Sequence, residues 1–432
     1  MKEDLLIIGS MYTGQTRVLA CIFFCRAQGR CGDRRMSKQS YIEKLLDGAS
    51  IAWVPVAELF HLKSGYTPSK STQEFWEGES IPWFSMDDIQ KNGPLLDDSL
   101  QKISQEAVKD GKLFAANSMI FSTTATIGEH ALITIPHLAD KQFTNLTVKE
   151  EYIETVDTKF LYYCGFLLSD WCKKNTTMSR LASVDMDGFR KFVIPIPCPE
   201  TPKKSLEIQG EIVRILDTFT SLTTELKTEL TARKKQYNYY RSQLLTFSDD
   251  EVEWKPLGKI AKIKQGQDWK KLGDGDIPVY GPEGIMGYVD TYSHDQPSVL
   301  IPRKGSITNA LYVDTPFWNA DTIYYTDIDT SKTVPKYLYY HLKNMDLIAL
   351  DGEAGKLGLT QAILAKLSIP IPFASDPQKS LAQQARIVSI LDKFDTLTCS
   401  TTEGLPREIE LREKQYEYYR NLLLKFPKPV EC

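Results

Sequence analysis

The sequence predicts an α/β chain of mixed α+β type, in which two pseudo-symmetric domains with twisted β-sheets are joined by two long antiparallel helices forming a coiled-coil spacer. Three observations predict it. The block Arg214-Ile-Leu-Asp-Thr-Phe219 returns as Ser389-Ile-Leu-Asp-Lys-Phe394, 175 residues on (389 − 214). Arg233-Lys-Lys-Gln-Tyr-Asn-Tyr-Tyr-Arg241 returns as Arg412-Glu-Lys-Gln-Tyr-Glu-Tyr-Tyr-Arg420, 179 residues on (412 − 233), and such self-similarity is the mark of a duplicated unit. Ahead of each copy stands one tetrapeptide, Ile194-Pro-Ile-Pro197 and Ile369-Pro-Ile-Pro372, whose alternation and prolines suit an edge strand leaving a sheet. Third, long side chains recur at steps of four and three through Ile212, Leu216, Phe219, Thr223, Leu226, Leu230, Arg233, Tyr237, Tyr240, Leu244 and Phe247, which is a heptad seam. The second copy keeps the phase through Leu405, Ile409, Arg412, Tyr416, Tyr419, Leu423 and Phe426.

The elements follow in order. Residues 1–35 are expected to be an upstream extension without a functional role, because Met36 opens a fresh start, Met-Ser-Lys-Gln-Ser. The apolar run Val18 to Cys25 is too short to span a bilayer, is flanked by Arg17 and Arg26, and lacks the cleavage site of a signal peptide. The first domain is assigned to 36–200. Its Trp53-Val-Pro-Val, Lys63, Gly65 and Lys159-Phe-Leu-Tyr-Tyr163 correspond to Trp254-Lys-Pro-Leu, Lys264, Gly266 and Lys336-Tyr-Leu-Tyr-Tyr340 of the second domain, 251–375. Between these anchors the halves diverge. The first helix, 201–250, carries a tandem unit, Thr224-Glu-Leu-Lys227 and Thr228-Glu-Leu-Thr231, each adding roughly 6 Å of helix. The second helical segment, 376–432, holds four extra residues, a stutter-sized change. Gly404 and Pro406 within it predict a short helix followed by a longer one beginning near Pro406. Periodicity alone reads equally as a dimerisation coiled coil. A matched pair in one chain, each member following a variable domain, favours a spacer between two binding heads, with the chain ends near the junction of first domain and first helix.

The order Ile-Pro-Ile-Pro, Ile-Leu-Asp-x-Phe and Lys-Gln-Tyr-x-Tyr-Tyr-Arg-x-x-Leu-Leu-x-Phe, present twice between Met36 and Pro429, resembles the specificity subunit of type I restriction-modification enzymes. The resemblance implies a DNA-binding subunit whose two target-recognition domains each read half of an interrupted site, with helix length setting the unread gap. It implies two modification (methyltransferase) subunits carrying S-adenosylmethionine and two ATP- and Mg-dependent restriction subunits as partners, with no cofactor in this chain. Other readings are a coiled-coil assembly protein without DNA function, or a fragment of a self-sufficient modification enzyme or nuclease.

Composition constrains these readings. The net charge of −4 gives no global sign of nucleic-acid binding, so contacts must come from local basic and polar loops. Eight cysteines without a CxxC pair, and five histidines without ligand spacing, indicate neither a disulfide framework nor a metal site, which suits a reducing cytoplasm and no membrane. No methyltransferase motif or FxGxG loop occurs, so no catalytic residue is assigned. Gly352-Glu-Ala-Gly355-Lys356 has the wrong spacing for a phosphate loop, and Asp217 with Glu225 and Lys227 reads as a solvated helix face rather than a nuclease signature.

DNA reading needs polar side chains at base edges and cations at phosphates. In the second domain Lys262, Lys264, Gln265, Gln267, Trp269, Lys270 and Lys271 form a basic loop, with a plain solvated lysine run as the competing reading. Arg303-Lys304-Gly305-Ser306 follows a strand, and Arg303 is the first candidate to pair with guanine, ahead of Asn309, Asn319 and Lys356. In the first domain Lys63, Tyr66 and Lys70 correspond to the basic loop, while Thr123, Thr124 and Thr126 form the matching turn. The resemblance implies that Thr123-Thr-Ala-Thr-Ile-Gly128 is a recognition loop in which many members of the family carry an arginine, and here Thr124 stands near that position. Lys141, Gln142 and Asn145 follow as amide readers and cations, and Lys173, Lys174 and Arg180 as phosphate contacts.

Overall fold

A computed structural model describes residues 41–77, 80–108, 111–177, 182–249, 251–303, 309–345, 347 and 359–427. The expected extension, 1–35, and the candidates Arg180, Lys304, Ser306 and Lys356 lie outside the described residues. The chain divides into two compact units, Met1–Arg214 with Arg420–Cys432, and Ile215–Tyr419.

In the first unit, α1 (Tyr41–Leu46), β1 (Ile51–Pro55), α2 (Val56–Leu59), β2 (Phe60–Ser64), β3 (Ile81–Phe84), α3 (Met86–Asn92), β4 (Leu95–Leu96) and β5 (Gln101–Ile103) come first. They are followed by β6 (Ser118–Ser122), β7 (His130–Ile133), β8 (Leu138–Ala139), β9 (Phe143–Val148), α4 (Thr158–Lys174), β10 (Thr176–Thr177), β11 (Ser183–Val184), α5 (Met186–Lys191) and β12 (Val193–Pro197). A five-stranded sheet, β2-β9-β6-β7-β4, and a three-stranded one, β5-β3-β8, enclose a core that includes Trp83, Phe84, Ile120 and Phe143. The Ile-Pro-Ile-Pro strand β12 pairs antiparallel with β1, Trp53 opposite Pro195, and prolines are tolerated because this ribbon has no third strand. α6 (Pro202–Leu245) then runs 44 residues, about 66 Å at ~1.5 Å per residue.

The second unit repeats the plan. β13 (Val252–Pro256), α7 (Leu257–Ile260), β14 (Ala261–Gln265), β15 (Ile277–Gly281), β16 (Gly284–Val289), β17 (Ser298–Pro302), β18 (Leu311–Val313), β19 (Trp318–Asn319) and β20 (Ile323–Ile328) precede α8 (Pro335–Asn344), α9 (Gln361–Ala365) and β21 (Ser368–Pro372). The sheets are β14-β20-β17-β18 and β16-β15-β19, and β13 pairs with β21, Trp254 opposite Pro370. No described element here corresponds to α3 or β4. The recurring glycines have one cause: a Cβ on Gly65 would fall 2.1 Å from the Asp140 carbonyl oxygen, and one on Gly266 2.0 Å from that of Ala320.

The second helical segment consists of α10 (Pro377–Cys399) and α11 (Gly404–Leu423). This corrects the expected order of a short helix then a longer one, since α10 has 23 residues and α11 has 20. The additional residues are not absorbed as a stutter. Ser400 to Glu403 leave the helix, where the Ser400 hydroxyl accepts from the Thr402 and Glu403 amides and Gly404 takes φ +72. Within this unit α6 and α11 run antiparallel: Phe219 stacks on Tyr419 at 5.2 Å and Lys227 Nζ meets Glu413 at 2.7 Å. Leu405, Ile409 and Tyr237 are buried, and Leu226, Leu230, Tyr240, Leu244, Tyr416 and Tyr419 half-buried, whereas Tyr239 and Tyr418, one step off the seam, are 62% and 64% exposed. Leu423, in the first unit, is also buried, and Phe426 packs edge-on against Phe160 there.

Two buried glutamines brace the helices. Gln209 accepts from the Asp157 amide (2.8 Å) and donates to the Thr155 carbonyl (2.9 Å). Gln384 accepts from the Val334 amide (2.8 Å) and the Thr333 hydroxyl (2.9 Å), and donates to the Lys332 carbonyl (3.2 Å) and Ser380 Oγ (3.1 Å).

Candidate nucleic-acid interface

In the first unit the candidate loops converge through backbone bonds. The Tyr66 amide donates to the Ala139 carbonyl (2.7 Å), and Thr67 Oγ1 donates to Asp140 Oδ2 (3.1 Å) and accepts from the Lys141 amide (3.2 Å). This lays the loop bearing Lys63, Tyr66 and Lys70 along the loop bearing Lys141 and Gln142. The Thr123 amide donates to the Gln142 carbonyl (3.1 Å), joining the turn 123–129 to both. Lys173 packs over Gly128, where an added Cβ would meet its Cε at 3.0 Å. Lys63, Lys70, Lys141, Lys173 and Lys174 are exposed, Gln142 is half-buried, and Ala125 at φ 63 holds the turn in a strained conformation of the kind found at functional sites.

Burial withdraws two first-domain candidates. Thr123 is buried, its hydroxyl 3.2 Å from that of Thr144, and Asn145 is buried between strands with partners Ser118 Oγ (3.1 Å) and Thr147 Oγ1 (2.9 Å). Thr124 is half-buried in a bridge to Ser183, which leaves Thr126 as the exposed threonine of the turn.

The second unit corrects one further assignment and pairs another candidate with a carboxylate at the surface. Asn319 is fully buried, accepting from Ser293 Oγ (3.0 Å) and donating to the Ile323 carbonyl (3.1 Å), so it ties the sheet together. Lys264 is paired with Asp327 at 2.8 Å; that bond raises the lysine pKa and lowers the carboxylate's. Trp269 is half-buried, lying on Gly287 of β16. Lys262, Gln265, Gln267, Lys270, Lys271 and Asn309 are exposed, and Asn309 Nδ2 donates to the Pro282 carbonyl at 3.2 Å. Arg303 is half-buried: Nη1 donates to the Asp321 carbonyl (3.0 Å), and Cζ sits 5.3 Å from the Tyr324 ring centroid.

Sequence reading missed three features. A cleft of about 440 Å³ beside the first turn is lined by Met86, Ile89 and Gln90 of α3 with Thr126, Ile127 and Glu129. In the second unit β16 leaves Ile285, Met286 and Tyr288 more than half exposed. Tyr324 is the third. The mixed run Gly-Ile-Met-Gly-Tyr-Val carries no alternation that would have marked an exposed edge.

Residues 52–233 and 249–411, well over half of the chain, match the family model described as Type I restriction modification DNA specificity domain. The chain belongs to the type I restriction-modification specificity subunits. This specificity subunit is 49% identical to the type I restriction enzyme EcoprrI specificity subunit of Escherichia coli, over 85% of this chain and 93% of that one. It is 33% identical to the EcoR124I/EcoR124II specificity subunit of Escherichia coli, over 91% and 99%. The crystal structure of an S subunit from M. genitalium shares the fold, with TM-score 0.55 at 15% identity over 92% of this chain and 99% of that one. The specificity subunit therefore serves DNA sequence recognition within a complex of other subunits, and its family is non-catalytic. Among the described residues no helix is long and apolar enough to cross a membrane, and no group of three or more His, Cys, Asp or Glu side chains is arranged to hold a metal ion.

Proposed function

We propose that this specificity subunit reads a bipartite, interrupted DNA site, one half by each recognition domain. The observation that carries this is one sheet scaffold built twice in one chain, bearing two unlike sets of loops: threonines and the α3 cleft in the first domain, and Arg303, Lys270 and Lys271 in the second. One scaffold with two chemistries suits two different half-sites. Exposed Lys63, Lys70, Lys141, Lys173 and Lys174, with Lys262, Lys270 and Lys271, are assigned to phosphates; Tyr66, Gln142 and Thr126, with Gln265, Gln267 and Asn309, line the groove-facing loops. The lengths of α6 and α11 set the unread gap.

In this reading the subunit works in the cytoplasm with two modification subunits, which hold S-adenosylmethionine, and two restriction subunits, which use ATP and Mg. The test is genome-wide adenine methylation in cells expressing this chain with its modification subunit, against cells with the modification subunit alone. A bipartite interrupted motif appearing only with this chain supports the proposal; no change in methylation overturns it.

A further inference from the structure

The residue that follows the central strand is held alike in both domains, and only its side chain differs. The Thr123 amide donates to the Gln142 carbonyl at 3.1 Å and its carbonyl accepts from Val184 at 3.0 Å. The Arg303 amide donates to the Thr322 carbonyl at 3.0 Å and its carbonyl accepts from Leu359 at 3.1 Å. The facing strands keep the same register, since Gly65 donates to the Phe143 carbonyl and Gly266 to that of Ile323, one residue before Thr144 and Tyr324 respectively. Arg303 thus stands where the first domain has Thr123, and Tyr324 where it has Thr144.

We propose that the Arg303–Tyr324 pair is the guanine-reading element of the second domain, with Tyr324 a positioning residue for the guanidinium; this rests on the reading of that domain as a DNA half-site reader. Pairing with guanine O6 and N7 needs two coplanar donors in a fixed orientation, and a free arginine loses much rotamer entropy in presenting them. Here that freedom is already removed. The Tyr324 ring, 4% exposed, is a rigid floor 5.3 Å beneath the guanidinium carbon, and the Asp321 carbonyl holds Nη1 at 3.0 Å. Nε is buried without a hydrogen-bond partner among the described residues. One of the five guanidinium protons is engaged by Asp321 and one is buried on Nε, so the remaining three, on Nη1 and Nη2, supply the two-donor edge. The Thr123–Thr144 pair offers no such edge, so the first domain does not read guanine from this slot.

The experiment uses the full chain assembled with its modification subunits and a duplex carrying the site that methylation mapping defines. Each guanine of the second half-site is replaced in turn by 7-deazaguanine, which keeps Watson–Crick pairing and removes the N7 acceptor. The wild-type complex is expected to bind about 5- to 100-fold more weakly for one such replacement. Arg303→Lys and Tyr324→Leu reduce that discrimination to within about threefold, Tyr324→Phe retains it because the ring remains, and sensitivity in the first half-site is unchanged in all three. Tyr324→Thr, which places the first domain's residue in this slot, is the second variant should Tyr324→Leu fail to fold. Indifference of the wild-type complex to every replacement overturns the guanine assignment, as does a second half-site without guanine in either strand. A folded Tyr324→Leu or Tyr324→Thr protein with full discrimination overturns the positioning role. A wild-type complex with no sequence preference at all contradicts the half-site reading itself.

Discussion

Replacing Gln384 by Leu tests how the spacer helices are fastened to the second domain. The side chain is fully buried and closes the start of α8, whose N-cap residue Val334 offers no side-chain oxygen of its own. Leucine has a similar volume, so packing is nearly kept while four hydrogen bonds disappear. The Thr333 hydroxyl can rotate to another acceptor and Ser380 Oγ loses only an accepted bond; the Val334 amide is fixed in place and cannot turn to a new partner. The partly buried Val334 amide left unpaired costs about 1–3 kcal/mol, while the carbonyl of exposed Lys332 can turn to water, which puts the loss at about 1–3 kcal/mol. In hydrogen exchange read by mass spectrometry, peptides covering residues 330–345 are expected to exchange at least about fivefold faster, since ~1.4 kcal/mol is a factor of ten. Gln209→Leu gives the same result at the start of α4 instead, because Gln209 holds the Asp157 amide and the Thr155 carbonyl there. Protection at residues 330–345 that stays within about twofold of wild type in Gln384→Leu refutes the bracing role.

Burial pushes the His130 and His137 pKa values down to about 4, so the fold keeps them neutral while the unfolded chain protonates near ~6.5. Their contribution is complete above pH ~6.5 and is lost as pH falls towards 4, by up to ~1.4 kcal/mol per pH unit for each; a urea midpoint for the first unit that is the same at pH 7 and pH 5 contradicts this. Lys70→Ala and Lys141→Ala are each expected to weaken DNA binding uniformly across sequences and to reduce the slope of log affinity against log salt by about 0.9, measured by titration between 50 and 200 mM salt. Deleting Thr228 to Thr231 shortens α6 by about 6 Å, so methylation mapping should show a narrower unread gap between unchanged half-sites.

The duplicated plan and the helix pair were legible in the sequence because both rest on local rules. A heptad seam follows from helix geometry alone, which is why Tyr237 falls inside and Tyr239 outside without reference to any partner. Gly65 and Gly266 could be matched by position, and their reason, a carbonyl too close for a Cβ, is a backbone constraint that leaves glycine as its trace. The interface was less legible. Asn145, Asn319, Thr123 and Lys264 have the polar side chains expected of a reading surface, yet strand pairing turns the first three inward and sets Asp327 beside the fourth. Burial depends on which strand lies alongside, and that register joins residues far apart in the chain. The two turns could be matched in the sequence, but the residue-level equivalence of Arg303 with Thr123, and of Tyr324 with Thr144, has the same origin: backbone hydrogen bonds define the slots, while the side chains filling them differ. The sequence by itself determined the repeat, the helices and the family, all carried by short-range pattern. Only the tertiary structure decided which polar residues remain at the surface, because that choice is made by long-range sheet packing.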